Sequence, residues 1–131
     1  MHVLQSRVLL RPSSFDASVS FYETVLGLPR YREWGRAPGR GVVYFLGGGY
    51  LELAESGAGS PVTGMRLWLQ VADVGAVHRE LTAASVPVRA GPALQPWGLV
   101  EMVITDPDGL DIVIVEVPGD HPLRRDTRTD H

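Results

Sequence analysis

The sequence predicts an α+β fold made of two tandem βαβββ modules. Three observations carry this. The hydrophobic pattern reads strand, helix, strand, strand, strand, and then reads the same way a second time. Matching positions in the two halves keep a nearly constant offset: 59 from Arg7 to Arg66, 57 from Asp16 to Asp73, and 61 from Glu52 to Val113. Fifteen glycines and ten prolines in 131 residues call for many turns between short elements.

Val8, Leu9 and Leu10 form a short apolar run that reads as the first strand, ended by Pro12. Ser13 with Asp16 three residues later resembles a capping box, and Phe15, Val19, Tyr22 and Leu26 follow at helical spacing, so a helix is expected over about 16–26. Gly27 stands where a helix-terminating glycine belongs, and Pro29 prevents continuation. Strands follow over 30–34, 42–46 and 50–55, with Gly47, Gly48 and Gly49 as a hairpin turn rather than a phosphate cradle. Residues 56–61, Ser-Gly-Ala-Gly-Ser-Pro, are the most linker-like stretch. The second module opens with an alternating strand over 66–71. Asp73 then caps a helix with Val74, Val77, Leu81 and Ala84 on its apolar face. Strands over 86–90, 99–105 and 110–117 complete it. Asp106-Pro107-Asp108-Gly109 fits a tight type I turn, which makes the last two strands a hairpin and explains both aspartates as turn residues. From Pro118 to His131 the chain is polar and without periodicity, so a mobile tail is expected there.

Composition narrows function. The chain has no cysteine, which excludes disulfide scaffolds, thiolate metal sites and thiol nucleophiles. The net charge is −3 with 12 basic residues scattered along the chain, so no nucleic-acid surface is expected. No apolar run approaches the ~20 residues of a membrane span. MHVLQSRVLL lacks the features of a signal peptide, so no membrane and a cytoplasmic location are the expectations. There is no P-loop, no GxGxxG after a strand and no serine in a nucleophile-elbow setting. His2, His78, His121 and His131 fall at the terminus, on a helix surface and in the tail, and are expected to be solvated.

Several short pieces then point to a family. They are Phe21-Tyr22 with Leu26-Gly27-Leu28, Leu51-Glu52-Leu53, Val71-Ala72-Asp73-Val74, Pro96-Trp97-Gly98 and Asp106-Pro107-Asp108-Gly109. In this order and spacing the chain resembles the vicinal oxygen chelate superfamily of glyoxalase I, bleomycin-resistance proteins and extradiol dioxygenases, over residues 3–117. The resemblance implies two modules, about 3–56 and 65–117, forming a cupped mixed sheet around a ligand cavity in a single domain, 1–117, with the tail 118–131 outside it. It also implies a homodimer. Enzymes of the superfamily hold a divalent metal with His, Gln or Glu from the first, fourth, fifth and eighth strands. The matching positions here are Arg7, Glu52, Arg66 and Val113. Arginine offers no lone pair, and one carboxylate alone does not hold a transition metal. No metal and no cofactor are therefore expected.

Strand alternation sorts the residues facing the implied cup. Arg7 and Leu9 share that face on the first strand, Tyr50, Glu52 and Ala54 on the fourth, Arg66, Trp68 and Gln70 on the fifth, and Asp111, Val113 and Val115 on the eighth. Trp34 and Trp97 fall at strand ends or loops, where a rim would be. The candidate ligand-binding set is Arg7, Leu9, Tyr50, Glu52, Arg66, Trp68, Gln70, Trp97 and Val113, with Arg7, Glu52 and Arg66 acting as one cluster that braces the fold or grips an anion. Two functions follow. One is a metal-independent binding protein that sequesters an aromatic or anionic small molecule, in the manner of antibiotic-resistance proteins. The alternative is a lyase, isomerase or dioxygenase of the same superfamily with Glu52 as base.

Overall fold

A computed structural model describes residues 1–55 and 64–124. The chain divides into two compact units, one holding the first βαβββ module and the other the second, with Asp106–Gly109 counted with the first.

In the first unit β1 (Arg7–Leu10) leads to helix α1 (Phe15–Val19), which runs on as a π-helical segment, Ser20–Val25. Then come β2 (Arg30–Trp34), β3 (Gly41–Leu46) and β4 (Gly49–Ala54), and the sheet order is β1-β4-β3-β2. β1 runs parallel to β4, with Arg7 opposite Tyr50 and Leu9 opposite Glu52. β3 and β4 are antiparallel, joined at Gly47-Gly48 with Gly47 at φ +57°, so the glycine run is the hairpin turn the sequence implies. One face of this sheet is dry: Val42, Tyr44, Leu51 and Leu53 are buried there with Phe21 and Tyr22.

The helix departs from expectation in two ways. Its N-cap is Ser14, whose Oγ accepts from the Ala17 N–H at 3.2 Å, not Ser13. Ser13 instead donates from its backbone N–H and its hydroxyl to Asp108. The second half is also wider than an α-helix, with the Leu26 N–H donating to the Phe21 carbonyl five residues back at 2.9 Å. The inward face becomes Ser18, Phe21 and Tyr22, rather than the Phe15, Val19, Tyr22 and Leu26 stripe. Gly27 closes the helix at φ +69°, as its position predicts.

In the second unit β5 (Arg66–Gln70), α2 (Val74–Ala83), β6 (Val88–Leu94), β7 (Val100–Thr105) and β8 (Asp111–Glu116) form a sheet of order β5-β8-β7-β6. β5 is parallel to β8, with Arg66 opposite Asp111 and Trp68 opposite Val113. Arg7 and Arg66 thus hold the same place in the two modules, as the sequence offset implies. Asp73 caps α2, accepting from the Ala76 N–H at 3.0 Å, and Val74 and Leu81 are its buried residues. The sixth strand starts two residues later than expected and runs through Pro92. Its register to β7 slips between Val88 and Ala90 and again between Ala90 and Ala93. An edge strand with irregular register tolerates a proline that a central strand would not.

Asp106-Pro107-Asp108-Gly109 is a turn, with the Gly109 N–H donating to the Asp106 carbonyl at 2.9 Å and Gly109 at φ +84°. The linker-like residues 56–61 lie outside the described residues, as do residues 125–131 of the expected tail. Pro118–Asp120 lead into a single 3₁₀ turn, Pro122–Arg124. Among the described residues, no helix is long and apolar enough to cross a membrane.

Candidate functional site

Each sheet has one face covered by its helix, and the predicted site residues on the strands lie on the other, with Trp97 in the turn between β6 and β7. On the first sheet Arg7 bridges two strands: its Nη1 donates to Glu52 Oε1 at 2.9 Å and its Nη2 to Gln5 Oε1 at 2.9 Å. The same guanidinium stands 6.0 Å from the centre of the Tyr50 ring. Tyr50 packs against Tyr31 and Phe45, at centroid distances of 4.9 and 5.6 Å, and those two rings lie 5.1 Å apart. Tyr31 and Phe45 are 44% and 41% exposed, and Leu9 58%, so this is an apolar platform open to solvent.

Sequence reasoning named Tyr50 and missed its two neighbours. Phe45 was recoverable, because it alternates with Val43 and pairs with Tyr50. Tyr31 was not, because the β2 register slips between Arg30 and Arg32 and strict alternation fails there.

On the second sheet Arg66, Trp68 and Gln70 stand in a row along β5, all exposed. Arg66 Nε lies 3.7 Å from Asp111 Oδ2, and Arg89 pairs with the other oxygen of the same carboxylate. Arg89 was missed for the same reason as Tyr31: it sits inside the Val88/Ala90 slip. Val113 is no open wall. It is buried with Leu99, Val115 and Val117 in an aliphatic cluster, because its side of β8 packs apolar residues from neighbouring segments. Trp97 Nε1 donates to Glu101 Oε2 at 2.6 Å. His121, expected to be solvated, is partly buried against the Trp97 turn, its Nε2 3.0 Å from the Trp97 carbonyl oxygen.

Of the expected cluster of Arg7, Glu52 and Arg66, each unit shows its own part. Arg7 and Glu52 pair within the first unit, and Arg66 has Asp111 as its carboxylate within the second.

The helix-covered side of the first unit holds a groove of about 390 Å³ lined in part by Phe15, Val19, Trp34, Arg30, Arg40 and Val42. Its arginines are spoken for. Arg40 spans Asp16 and Glu55 at 2.9 and 2.8 Å, and Arg30 pairs with Glu23 and Glu33. Hydrogen bonding from Arg40 holds the Glu55 carboxyl below its ordinary range.

Two parallel-paired βαβββ modules in tandem, with equivalent residues at equivalent register, are a specific architecture, and comparison with known proteins decides the family. Residues 4–114 match the model of the Glyoxalase/Bleomycin resistance protein/Dioxygenase superfamily. The chain belongs to that superfamily. Similar solved structures include a lactoylglutathione lyase from Agrobacterium tumefaciens, with 22% identity, 87% of this chain and 92% of that one covered, and a TM-score of 0.66. A superfamily member from Sphaerobacter thermophilus gives 22% identity, 88% and 98% coverage, and 0.69. TioX from Micromonospora gives 19%, 87% and 98%, and 0.72. At these identities the likeness is one of fold. No curated protein matches the chain.

Within the superfamily the metal question turns on four positions. Here the one carboxylate among them, Glu52, already accepts from Arg7, and the eighth-strand position is the buried hydrocarbon of Val113. Among the described residues no three His, Asp or Glu side chains gather where they would hold a metal ion. The residues present do not fit the metal that enzymes of this fold hold.

Proposed function

We propose that this protein is a metal-independent small-molecule binding protein that sequesters an aromatic or anionic organic compound without transforming it, and that it acts as a homodimer. The observation that carries the reading is the pairing of Arg7 with Glu52 beside an exposed platform of Tyr31, Phe45 and Tyr50. A guanidinium–carboxylate pair stands where a metal would be held, and exposed rings offer flat apolar area to a planar ligand. Glu52, the candidate base of an enzymatic reading, has an oxygen committed to Arg7, so that reading gains no support.

A thermal-shift screen over aromatic metabolites and antibiotics tests the binding reading. A true ligand at about 100 times its Kd stabilises by about 2.7 kcal/mol, an upward shift of several degrees for a domain of this size. Elemental analysis of protein grown with supplementary metals and then dialysed is expected to find no stoichiometric zinc, nickel, iron or manganese. One such ion per chain would overturn the metal-independent reading.

A further inference from the structure

Arg66 and Arg89 of the second unit are held differently from Arg7, Arg30 and Arg40 of the first. In the first unit Arg7, Arg30 and Arg40 each donate hydrogen bonds to carboxylates. In the second unit two arginines share one carboxylate. Arg89 donates to Asp111 Oδ1, whereas Arg66 approaches Oδ2 only to 3.7 Å, beyond hydrogen-bonding distance. Among the described residues the Arg66 guanidinium donates no hydrogen bond. The group of three carries one net positive charge. The arginine side chains are 56% and 63% exposed while Asp111 is 20% exposed, so the cations face outward over a more sheltered anion.

The fold makes this arrangement from three strands. Arg66 and Asp111 are register partners on β5 and β8. Thr105 on β7 pairs with Asp111 from the other side, and the slip in β6 beside Ala90 brings Arg89 to the same carboxylate. Two residues along β5 from Arg66, about 7 Å away at the rise of a strand, stands Trp68, 49% exposed, with Gln70 beyond it. The nearest other acid on this face, Glu101, is opposite Val115 and is taken by Trp97, so it lies toward the far end of the strands.

We propose that Arg66 and Arg89, oriented by Asp111, bind an oxyanion, a carboxylate or a phosphate, on a planar organic ligand whose ring lies against Trp68. This rests on the small-molecule binding reading and adds to it a site on the second unit and the charge of what is held there. Asp111 fixes the two guanidinium groups without neutralising both. A guanidinium with free N–H groups makes charge-assisted, often paired, hydrogen bonds to an oxyanion. The indole face a strand step away supplies stacking area.

The test uses the full chain and three probes of one shape: naphthalene-2-carboxylate, 2-naphthyl phosphate and the neutral naphthalene-2-carboxamide, with affinities from calorimetry. The wild-type protein is expected to bind both anions at least tenfold more tightly than the carboxamide. Arg66→Gln and Arg89→Gln are each expected to weaken the anions about tenfold and leave the carboxamide within twofold. Trp68→Ala is expected to weaken all three probes alike. Circular dichroism checks that each variant is folded. If the three probes bind equally, or if the arginine variants leave the anions unaffected, the anion site is overturned while small-molecule binding stands. If the wild-type protein binds no probe, the site is overturned, and the binding reading stands or falls on the thermal-shift screen.

Discussion

Tyr22 shows how a single side chain ties distant sequence together. It is fully buried, and its hydroxyl donates to Asp106 Oδ2 at 2.8 Å across 84 residues of sequence. Asp106 is itself 7% exposed and also accepts from the Asp108 N–H at 2.9 Å, so its charge is held by directed donors. Tyr22→Phe keeps the ring and removes one donor from a buried carboxylate. It is expected to cost about 1.5–3 kcal/mol in urea unfolding, and a loss below 0.5 kcal/mol would show that the bond contributes little. Burial and the neighbouring Asp106 raise the Tyr22 hydroxyl pKa well above its ordinary value, and burial pushes Tyr44 up to about 12, with the Glu23 charge adding. The sign follows from linkage. The unfolded chain releases these protons near pH 10 and the folded one later, so this stability is fully present below about pH 10 and lost as pH rises toward and past 12. Denaturation monitored from pH 8 to 12 is expected to show stability falling only above about pH 10. Tyrosinate absorbance reaching its full value by pH 11 in still-folded protein would contradict the burial described for these two rings.

At the scale of elements, the Asp106–Gly109 turn does more than join β7 to β8. Its aspartates accept from Tyr22 and from Ser13, which is why the turn is counted with the first unit although its strands belong to the second. Gly109 makes the turn possible at φ +84°, and a Cβ there would meet nothing within 4 Å. The cost of Gly109→Ala is therefore conformational alone, and is expected to be about 1–2 kcal/mol. Gly109→Asn is expected to cost less, since asparagine adopts this conformation more readily. Equal losses from the two variants in thermal unfolding would mean that crowding and not φ sets the cost. The turn was legible from four letters, and so was the alternation of β1, β4 and β5, because a strand's period of two survives wherever its pairing is regular. Legibility failed where the period broke. Past Ser20 the π-helical turn broke the helical period, and Phe21 joined Tyr22 on the buried side while Leu26 did not. The slips in β2 and β6 turned Tyr31 and Arg89 to positions that counting by twos does not give. His121 against Trp97 depends on where the chain returns after β8, and no local pattern encodes that.

Whole-molecule behaviour follows from edges. Sheet orders β1-β4-β3-β2 and β5-β8-β7-β6 leave β1 and β2, and β5 and β6, as the edge strands of their respective sheets, and β2 and β6 are the antiparallel ones. Every residue of β2 is exposed, Tyr31 and Trp34 among them, and six of the seven residues of β6 are exposed, including Leu94 at 70%. Edge strands with exposed apolar side chains offer both unpaired backbone groups and surface whose burial is favourable, at roughly 25 cal/mol per Å². β2 blunts its edge with Arg30, Arg32 and Glu33, whereas β6 carries one charge, Arg89, in seven residues. A second copy of the chain is the covering expected from these surfaces, since closed twofold pairing is the commonest way for one sequence to cover its own edge. Light scattering at micromolar concentration is expected to give twice the chain mass of 14.3 kDa. The β2 and β6 edges separate in mutation. Leu94→Glu places a charge on the barer edge and is expected to shift the mass toward one chain if β6 forms the interface, and Trp34→Glu does the same if β2 does. A mass of one chain for the unaltered protein across the micromolar range would end the dimer proposal, and the exposed rings of β2 and the aliphatic edge of β6 would then be surface available to ligands.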